Sequence, residues 1–548
     1  MAASALQDPA QAPRIDQQQR QRQQERERAL RERMAPDADR RHSQPAPAAV
    51  EIPQDESPCF AVHSLQLTGD QRAAVPWLQD AAGLEWSREP CIGAQGVESI
   101  LARMQQALLT HGLITSRVMV APQNLQDGIL RIVFIPGVLR DLKFSPGSHR
   151  TSVLTALPSR RGELLQLRDV EQGLENLQRV PTAQADIQIV AAEGAEAEPG
   201  QSDLLITYQK SHALRLNLAL DDGGTKTTGK LQATATVSWD NPLRLNDLMY
   251  VSLGAGMANG GHRGTQSRFA HYSVPWAYWR LALTGSQQKY HQNVAGAYQN
   301  YVYSGTSSHL DLQLSRVVYR SASAKTTLAA KVFHRNSSNA IDDTAIDVQR
   351  RRTSGYELSL AQHSYRGATV FEARLALQRG TGAFSALPAP EEPWGEGTAR
   401  MQLAIADMAL TRPFTLADTR LTFSSAWHGQ WNATPLTPQD QISIGGRYTV
   451  RGFDGESSLL AERGWYWRNE IGIPLGANAE AFLGLDTGRI NGPSAQRLVG
   501  QSLTGATIGL RGAMRRLSYE VFLATPVKKP KHFQTAHVHF AFNLAYSF

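Results

Sequence analysis

The sequence predicts an all-β transmembrane barrel of about 16 antiparallel strands over residues 210–548, preceded by two small α+β modules and an amino-terminal helix. From Leu214 to the carboxyl terminus, alternating segments are separated by turns. No run of about 18 apolar residues, the length a membrane-spanning helix needs, occurs. The final segment places an apolar side chain at every second position: Val538, Phe540, Phe542, Leu544, Tyr546 and Phe548.

The composition is compatible with this barrel. The mean hydropathy is −0.35 and 41% of residues are hydrophobic. A membrane barrel has such values because its lumen-facing residues dilute the lipid-facing ones. The net charge of +7 is spread over many strand-like segments, so we predict lumen and rim charges and no nucleic-acid partner.

Residues 1–34 contain a run of Gln, Arg and Glu from Gln17 to Arg33 with almost no apolar residue. These residues form helices well but provide no apolar stripe, so the helix must be surrounded by water. It is either a solvated arm or a polar plug in a water-filled lumen. The start at Met1 has neither a basic nor an apolar region, and we expect a mature or recombinant start. Residues 35–58, rich in proline, predict a linker.

Residues 59–137 and 138–209 predict two modules of the order β-α-α-β-β. The first has a strand from Phe60 to Leu67 and apolar residues at helical spacing from Ile100 to Leu109. The second begins with a strand from Val138 to Phe144. Cys59 and Cys91 are the two cysteines, and in an exported chain they predict a disulfide. In a cytosolic chain, two unpaired buried thiols would be preferred.

Within the barrel region, aromatic clusters predict girdles at the membrane surfaces. They comprise Tyr272, Trp276, Tyr278 and Trp279, and then Trp465, Tyr466 and Trp467.

A long loop from Gly445 to Glu456 lies between two strand-like runs and contains Val450, Arg451, Gly452 and Phe453. Loops of this length are usually functional or disordered. Downstream, strand parity turns Phe482, Gly484 and Asp486 of the motif ending at Gly488 inward, and it does the same for Glu470 on the preceding strand. Arg451, lowered into the lumen, would find two carboxylates there, Asp486 and Glu470.

These motifs resemble those of outer-membrane insertion porins, in which the VRGF/Y loop tip meets a strand aspartate, and the two modules resemble POTRA domains. Over nearly the whole chain the sequence is similar to the TpsB transporters of two-partner secretion, especially the branch that serves haemolysins and contact-dependent growth inhibition toxins. Supporting stretches begin at Pro58, Asp240, Tyr272 and Leu314.

The resemblance implies an outer-membrane pore that exports an unfolded TpsA-type exoprotein without ATP after POTRA modules capture it in the periplasm. The amino-terminal helix would plug the pore. Phe548 would serve as the insertion signal read by the barrel assembly machinery. Outer-membrane lipid surrounds such a barrel, and we expect a monomer.

Several alternatives remain open. A barrel assembly factor shares the loop and aspartate motifs and is the principal alternative, and a diffusion porin would need no periplasmic modules. An embedded hydrolase would use neighbours such as His363 and Ser364, which lack a visible third group. The 15 histidines show no metal-binding spacing, so we predict no metal site, cofactor or enzyme activity.

Overall fold

The computed structural model describes residues 52–53, 56–84, 90–195, 197–257, 263–295 and 299–548. The predicted helix at 1–34 and most of the linker at 35–58 lie outside the described residues. Within the part of the chain that is described, no helix has the length and apolar character needed to cross a membrane.

The first module is a small sheet packed on one helix. Its strands and helix are β1 (Phe60–Ala61), β2 (Ser64–Thr68), β3 (Cys91–Ile92), α1 (Ala94–Thr110), β4 (Arg117–Met119) and β5 (Ile129–Ile135). β5 is central, parallel to β2 and antiparallel to β4. Helix α1 buries Ile100, Met104 and Leu108 against this sheet because they recur on one face.

Two details of the first module differ from the sequence prediction. The first strand is broken into β1 and β2, and β1 pairs with β3 in a separate small sheet. In the described residues between β2 and Leu84, the first helix is replaced by three 3₁₀ turns, the second of which starts with Pro76, and Gly83 ends the third at a φ of +68°. Proline and left-handed glycine both stop helix propagation, so this segment forms short turns. A disulfide joins Cys59 to Cys91, flanking the β1–β3 pair.

The second module has the same order with a very short first helix. Its elements are β6 (Val138–Phe144), α2 (Val153–Ala156), α3 (Leu167–Leu177), β7 (Ala183–Ala191) and β8 (Gln201–Lys210). β8 is central, parallel to β6 and antiparallel to β7.

The barrel closes through antiparallel pairing of 16 long strands, which agrees with the prediction of about 16. They are β9 (Leu214–Asp221), β10 (Gln232–Asp240), β11 (Leu248–Gly256), β12 (Arg263–Trp276), β13 (Trp279–Ala295), β14 (Asn300–Arg320), β15 (Ala324–Ile341), β17 (Arg351–Arg366), β18 (Thr369–Thr381), β19 (Gln402–Leu416), β20 (Thr419–Asn432), β23 (Arg463–Pro474), β24 (Ala479–Asn491), β25 (Ser502–Met514), β26 (Leu517–Lys528) and β27 (His539–Ser547). Three short strands lie between them in the described residues: β16 (Thr344–Ala345), β21 (Ile442–Ile444) and β22 (Leu459–Ala461).

Strand length varies strongly around the barrel. β14 has 21 residues, whereas β9 has 8. The closing pair of β27 and β9 matches five residues, from Asn543 with Asp221 to Ser547 with Asn217. The seam between the last and first strands is therefore short.

The second module shares a core with the barrel. Its buried apolar residues form one cluster with Leu248 and Tyr250 of β11 and Phe269 of β12. Burial of apolar area is the main favourable term in such packing. The module is thereby fixed directly beneath one sector of the barrel wall.

Candidate functional site

The loop at 433–462 folds into the barrel between β20 and β23. The sequence predicted no structure within it, but β21 and β22 form an antiparallel hairpin there. Both strands belong to a buried apolar cluster with loop residues Val450 and Phe453. This cluster explains the hairpin, and because it also includes Ile490 of β24 and Leu503 of β25, the loop shares an apolar core with the barrel wall.

Arg451 at the loop tip is bonded to Asp486 on the barrel wall. Its Nε donates to Asp486 Oδ2 at 2.7 Å and its Nη2 donates to Oδ1 at 3.0 Å. The Arg451 backbone amide donates to the same Oδ2 at 3.0 Å. Asp486 is fully buried and Arg451 is 4% exposed. The planar guanidinium matches both carboxylate oxygens at once, and lysine could not reproduce this geometry.

Glu470 is the second acceptor. Arg451 Nη1 donates to Glu470 Oε2 at 2.7 Å, and Arg511 of β25 donates to the other oxygen of Glu470. Arg511 also donates to Glu480. The buried arginine is thus held by two carboxylates, one of which is itself held by a second arginine. Sequence reasoning did not identify Arg511, because it lies on a strand that no motif marked.

Glycines on the wall allow the loop backbone to approach closely. A Cβ at Gly505 would lie 1.8 Å from the Arg451 carbonyl oxygen, and one at Gly484 would lie 2.8 Å from Arg451 Nη2. A Cβ at Gly488 would lie 2.9 Å from Val450 Cγ2. Gly452 has a φ of +111° beside Gly505, a conformation that favours glycine. The sequence motif marked Gly484 and Gly488 but not Gly505.

The remaining motif residues pack around this contact. Val450 and Phe453 are fully buried, and the Phe453 ring meets the Phe533 ring edge-on at 5.6 Å. Phe482 is buried on the inner wall and lies beneath the Arg511 guanidinium at 5.1 Å. These aromatic contacts fix the position of the loop tip.

A second set of contacts joins the loop to the seam. Arg447 Nη1 donates to Asp222 Oδ1 at 2.8 Å, and the same oxygen accepts the Phe542 amide of β27 at 2.9 Å. Asp222 follows β9, so this carboxylate joins the loop to both strands of the seam. The Arg447 guanidinium also lies 5.5 Å from the Phe522 ring.

The base of the loop contacts the opposite wall. Arg335 of β15 donates to Asp440 Oδ1 at 2.7 Å, and Gln439 donates to Ser337 Oγ at 2.7 Å. The loop is therefore attached to β15 at its base and to β24 and β25 at its tip. A chain passing through the lumen would have to displace it.

Phe548 lies at the module-side end of the seam. Its amide donates to the Leu216 carbonyl at 2.9 Å, and its side chain is half exposed. This contact adds one bond to the short β27–β9 pair.

The other candidate residues do not form a reactive centre. His363 Nδ1 faces Glu372 at 3.1 Å, whereas Ser364, the next residue of β17, projects to the opposite face. Within the described ranges, no group of three or more metal-binding side chains comes together.

The flagged stretches at Asp240 and Tyr272 meet the second module. Thr182 Oγ1 donates to Asp240 Oδ2 at 2.7 Å, and Arg179 donates to the Ser273 carbonyl at 3.0 Å. Tyr278 donates to Asp169 of α3 at 2.6 Å, so it contacts the module and is not part of an aromatic girdle.

Basic residues near the stretch at Leu314 also bind α3. Arg320 and Lys325, on either side of the β14–β15 turn, both contact Glu175 of α3, Lys325 at 3.0 Å. Burial acts to raise the pKa of Glu175, but the two cations outweigh burial and lower that pKa to about 2.

Comparison with known proteins agrees with this architecture. The model of the haemolysin secretion/activation protein family ShlB/FhaC/HecB matches residues 200–512. Two POTRA models match residues 60–137, as the ShlB type, and residues 138–191.

Relatives and solved structures match over most of their length. The chain is 34% identical to the outer membrane transporter CdiB-2 of Burkholderia pseudomallei, over 93% of this chain and 90% of that protein. It is 23% identical to the hemolysin transporter protein ShlB of Serratia marcescens, over 85% of this chain and 83% of that protein. The structure of CdiB from Acinetobacter baumannii superimposes with a TM-score of 0.87 at 28% identity, covering 99% of this chain and all of that one. The chain therefore belongs to the ShlB/FhaC/HecB family of haemolysin secretion/activation proteins.

Proposed function

We propose that this outer-membrane transporter of the two-partner secretion type exports a TpsA-type exoprotein, of the haemolysin, adhesin or growth-inhibition toxin kind. In this proposal the POTRA modules bind the partner unfolded in the periplasm, and the barrel passes it to the surface without ATP. The segments would be residues 1–34 as plug, 35–58 as linker, 59–137 and 138–209 as modules, and 210–548 as pore.

The contact of Arg451 with Asp486 and Glu470 is the observation that carries the proposal. A buried arginine held by two carboxylates keeps a folded loop inside the lumen. Removing one partner of such a buried pair costs about 3–5 kcal/mol, because the remaining charge stays buried. When the arginine and the carboxylates separate and both become hydrated, water replaces each partner and the loop can move.

No catalytic step is part of the proposal. Among the described residues that contact Arg451 there is no nucleophile activated by a base. We propose that the pore works as a monomer, since one chain closes its own barrel.

Secretion of the exoprotein encoded beside this gene tests the proposal. Arg451→Ala should reduce the exoprotein in the medium at least about tenfold, because removing the guanidinium leaves two buried carboxylates without a partner, at about 3–5 kcal/mol, and the loop tip loses the position from which transport starts. Arg497→Ala is the matched control, since its ion pair with Glu396 lies exposed at the rim. Secretion by Arg451→Ala at the control level, with the barrel inserted, would refute the role of the contact.

The same strains separate a transporter from a barrel assembly factor. Loss of this chain should abolish export of the neighbouring exoprotein and leave the amounts of other outer-membrane barrels unchanged. A general fall in those barrels would favour assembly instead.

Deleting residues 14–34 tests the plug. Removal of a polar helix from the lumen should raise single-channel conductance in planar bilayers, because more water and ions fill the pore. A shortened linker, with part of 35–51 removed, controls for chain length. Equal conductance of the deletion and the full chain would contradict a plug.

A further inference from the structure

Three large apolar side chains are exposed at the module-side end of the barrel. Leu154 of α2 is 83% exposed, Leu243 in the β10–β11 turn is 63% exposed, and Trp276 at the end of β12 is 68% exposed. Isolated exposed leucines are common, but a group of apolar residues at one edge marks an interaction surface.

Backbone contacts bring these three side chains to one edge. Ser152 donates its amide to the Arg244 carbonyl at 2.9 Å, and Thr155 accepts from the Ala277 amide at 3.0 Å. Ser152 and Thr155 flank Leu154, while Arg244 and Ala277 are the neighbours of Leu243 and Trp276. The short helix is thereby fastened between the two barrel turns that carry the other two apolar residues.

This edge continues the lipid-facing surface of the barrel. Trp276 follows Val274 on the outward parity of β12, opposite to the buried Ser273. Tryptophan at a strand end commonly lies at the headgroup level of a membrane. Leu154 and Leu243 therefore lie beside a boundary at which lipid already covers the wall.

The charges around the edge suit an anionic membrane surface. Arg150 and Arg244 are both exposed, and Thr151, next to Arg150, donates its hydroxyl to the Arg244 carbonyl at 3.3 Å. Basic residues beside exposed apolar ones are the usual composition of segments that bind the interface of an anionic bilayer.

We propose that Leu154, Leu243 and Trp276 anchor the second module in the phospholipid leaflet on the module side of the membrane, with Arg150 and Arg244 on anionic headgroups. The module is thus held by lipid as well as by the barrel. Its rotation beneath the pore is restricted on the side where α2 lies.

A spin label reports whether Leu154 lies in lipid. The two native cysteines form a disulfide, so Leu154→Cys provides one reactive thiol in the full chain. The labelled protein is placed in vesicles of phosphatidylethanolamine and phosphatidylglycerol. Collision rates are then measured with oxygen, which concentrates in lipid, and with a water-soluble nickel chelate.

Two further spin-label positions calibrate the ratio of oxygen to nickel collisions in lipid and in water. Leu283→Cys lies on the lipid face of β13, and Met119→Cys lies exposed on β4 of the first module. The proposal expects the Leu154 label to lose most nickel collisions and to approach the Leu283 ratio of oxygen to nickel. A ratio equal to that of Met119 would overturn it.

The lipid composition tests the charge component. Replacing phosphatidylglycerol by phosphatidylcholine should raise nickel collisions at Leu154 and leave Leu283 unchanged. An unchanged ratio of oxygen to nickel collisions at Leu154 would show that Arg150 and Arg244 do not bind anionic headgroups.

A second variant, Leu154→Asp, is expected to keep barrel insertion. It should lower the protection of α2 from hydrogen exchange in vesicles but not in detergent. An equal loss of protection in both would indicate that Leu154 has a purely structural role.

Discussion

The inward loop and the second module are attached to the same barrel by different balances of charged and apolar contacts. The loop tip depends on charged groups, chiefly Arg451 with Asp486 and Glu470, at points where wall glycines let the backbone approach. The module is joined by a continuous apolar core that includes Leu248 and Phe269 of the barrel, with hydrogen bonds and the ion pairs of Glu175 around it.

This difference separates a part that can move from a part that stays. Charged contacts can be exchanged for water or for a passing polypeptide, whereas opening a shared apolar core exposes area at about 25 cal/mol per Å². We therefore expect the loop to be displaced during export while the second module remains docked.

The largest expected effect comes from closing the space beneath the loop. Gly505→Ala would place a Cβ 1.8 Å from the Arg451 carbonyl oxygen, and relieving that overlap would cost at least about 3 kcal/mol by ejecting the tip. Single-channel recording should show a several-fold rise in open-state occupancy. Gly285→Ala is the control, since only Leu310 lies near its Cβ, at 3.8 Å. Identical traces for the two variants would mean that the loop tolerates the overlap.

The next effect concerns the docked module. Because the pKa of Glu175 is lowered to about 2, its ion pairs stabilise docking fully above about pH 4.5 and lose that effect as the pH falls toward 2, by up to about 3 kcal/mol. Thermal denaturation should show a lower Tm for the module as the pH falls from about 4.5 toward about 2. Glu175→Gln should lower the Tm above about pH 4.5 and flatten the dependence of Tm on pH. Glu98→Gln changes an exposed glutamate of α1 and should behave as the parent protein. A parent profile as flat as that of Glu175→Gln would rule out the ion pairs as the cause.

The smallest expected effect concerns the Asp222 contact. Arg447→Ala should weaken the seam by about 1–2 kcal/mol, because Asp222 then holds only the Phe542 amide. Faster hydrogen exchange of that amide is the measurement. In Asp222→Ala, the further change Arg447→Ala should add little, as a double-mutant cycle requires for residues in contact. Additive effects would show that loop and seam are independent.

The site was partly readable from the sequence. The resemblance to the porin strand motif assigned Asp486 to Arg451, and strand parity turned both Asp486 and Glu470 toward the lumen. Both contact Arg451 in the structure. Gly505 and Asp222 were not foreseen, since their contacts depend on how distant strands are aligned in the closed barrel. Periodicity within one strand contains no information on that register.

Prediction was also better for strands than for helices. The strand Val138–Phe144 of the second module coincides with the one expected, and β9 begins at Leu214, where the alternation starts, because alternation is a local signal. The prediction of a first helix in the first module was wrong, since Pro76 and Gly83 favour short turns in the described part of that segment.

The unequal strand lengths have a consequence for the cell-surface side. A strand crosses a membrane with about 9–11 residues, so the 21 residues of β14 extend far beyond it on the side opposite the modules, at about 3.3 Å per residue. β9, with 8 residues, does not. On that side the barrel wall is therefore high around β14 and low at the first and last strands, and we expect an emerging polypeptide to leave the barrel over the low part of the wall.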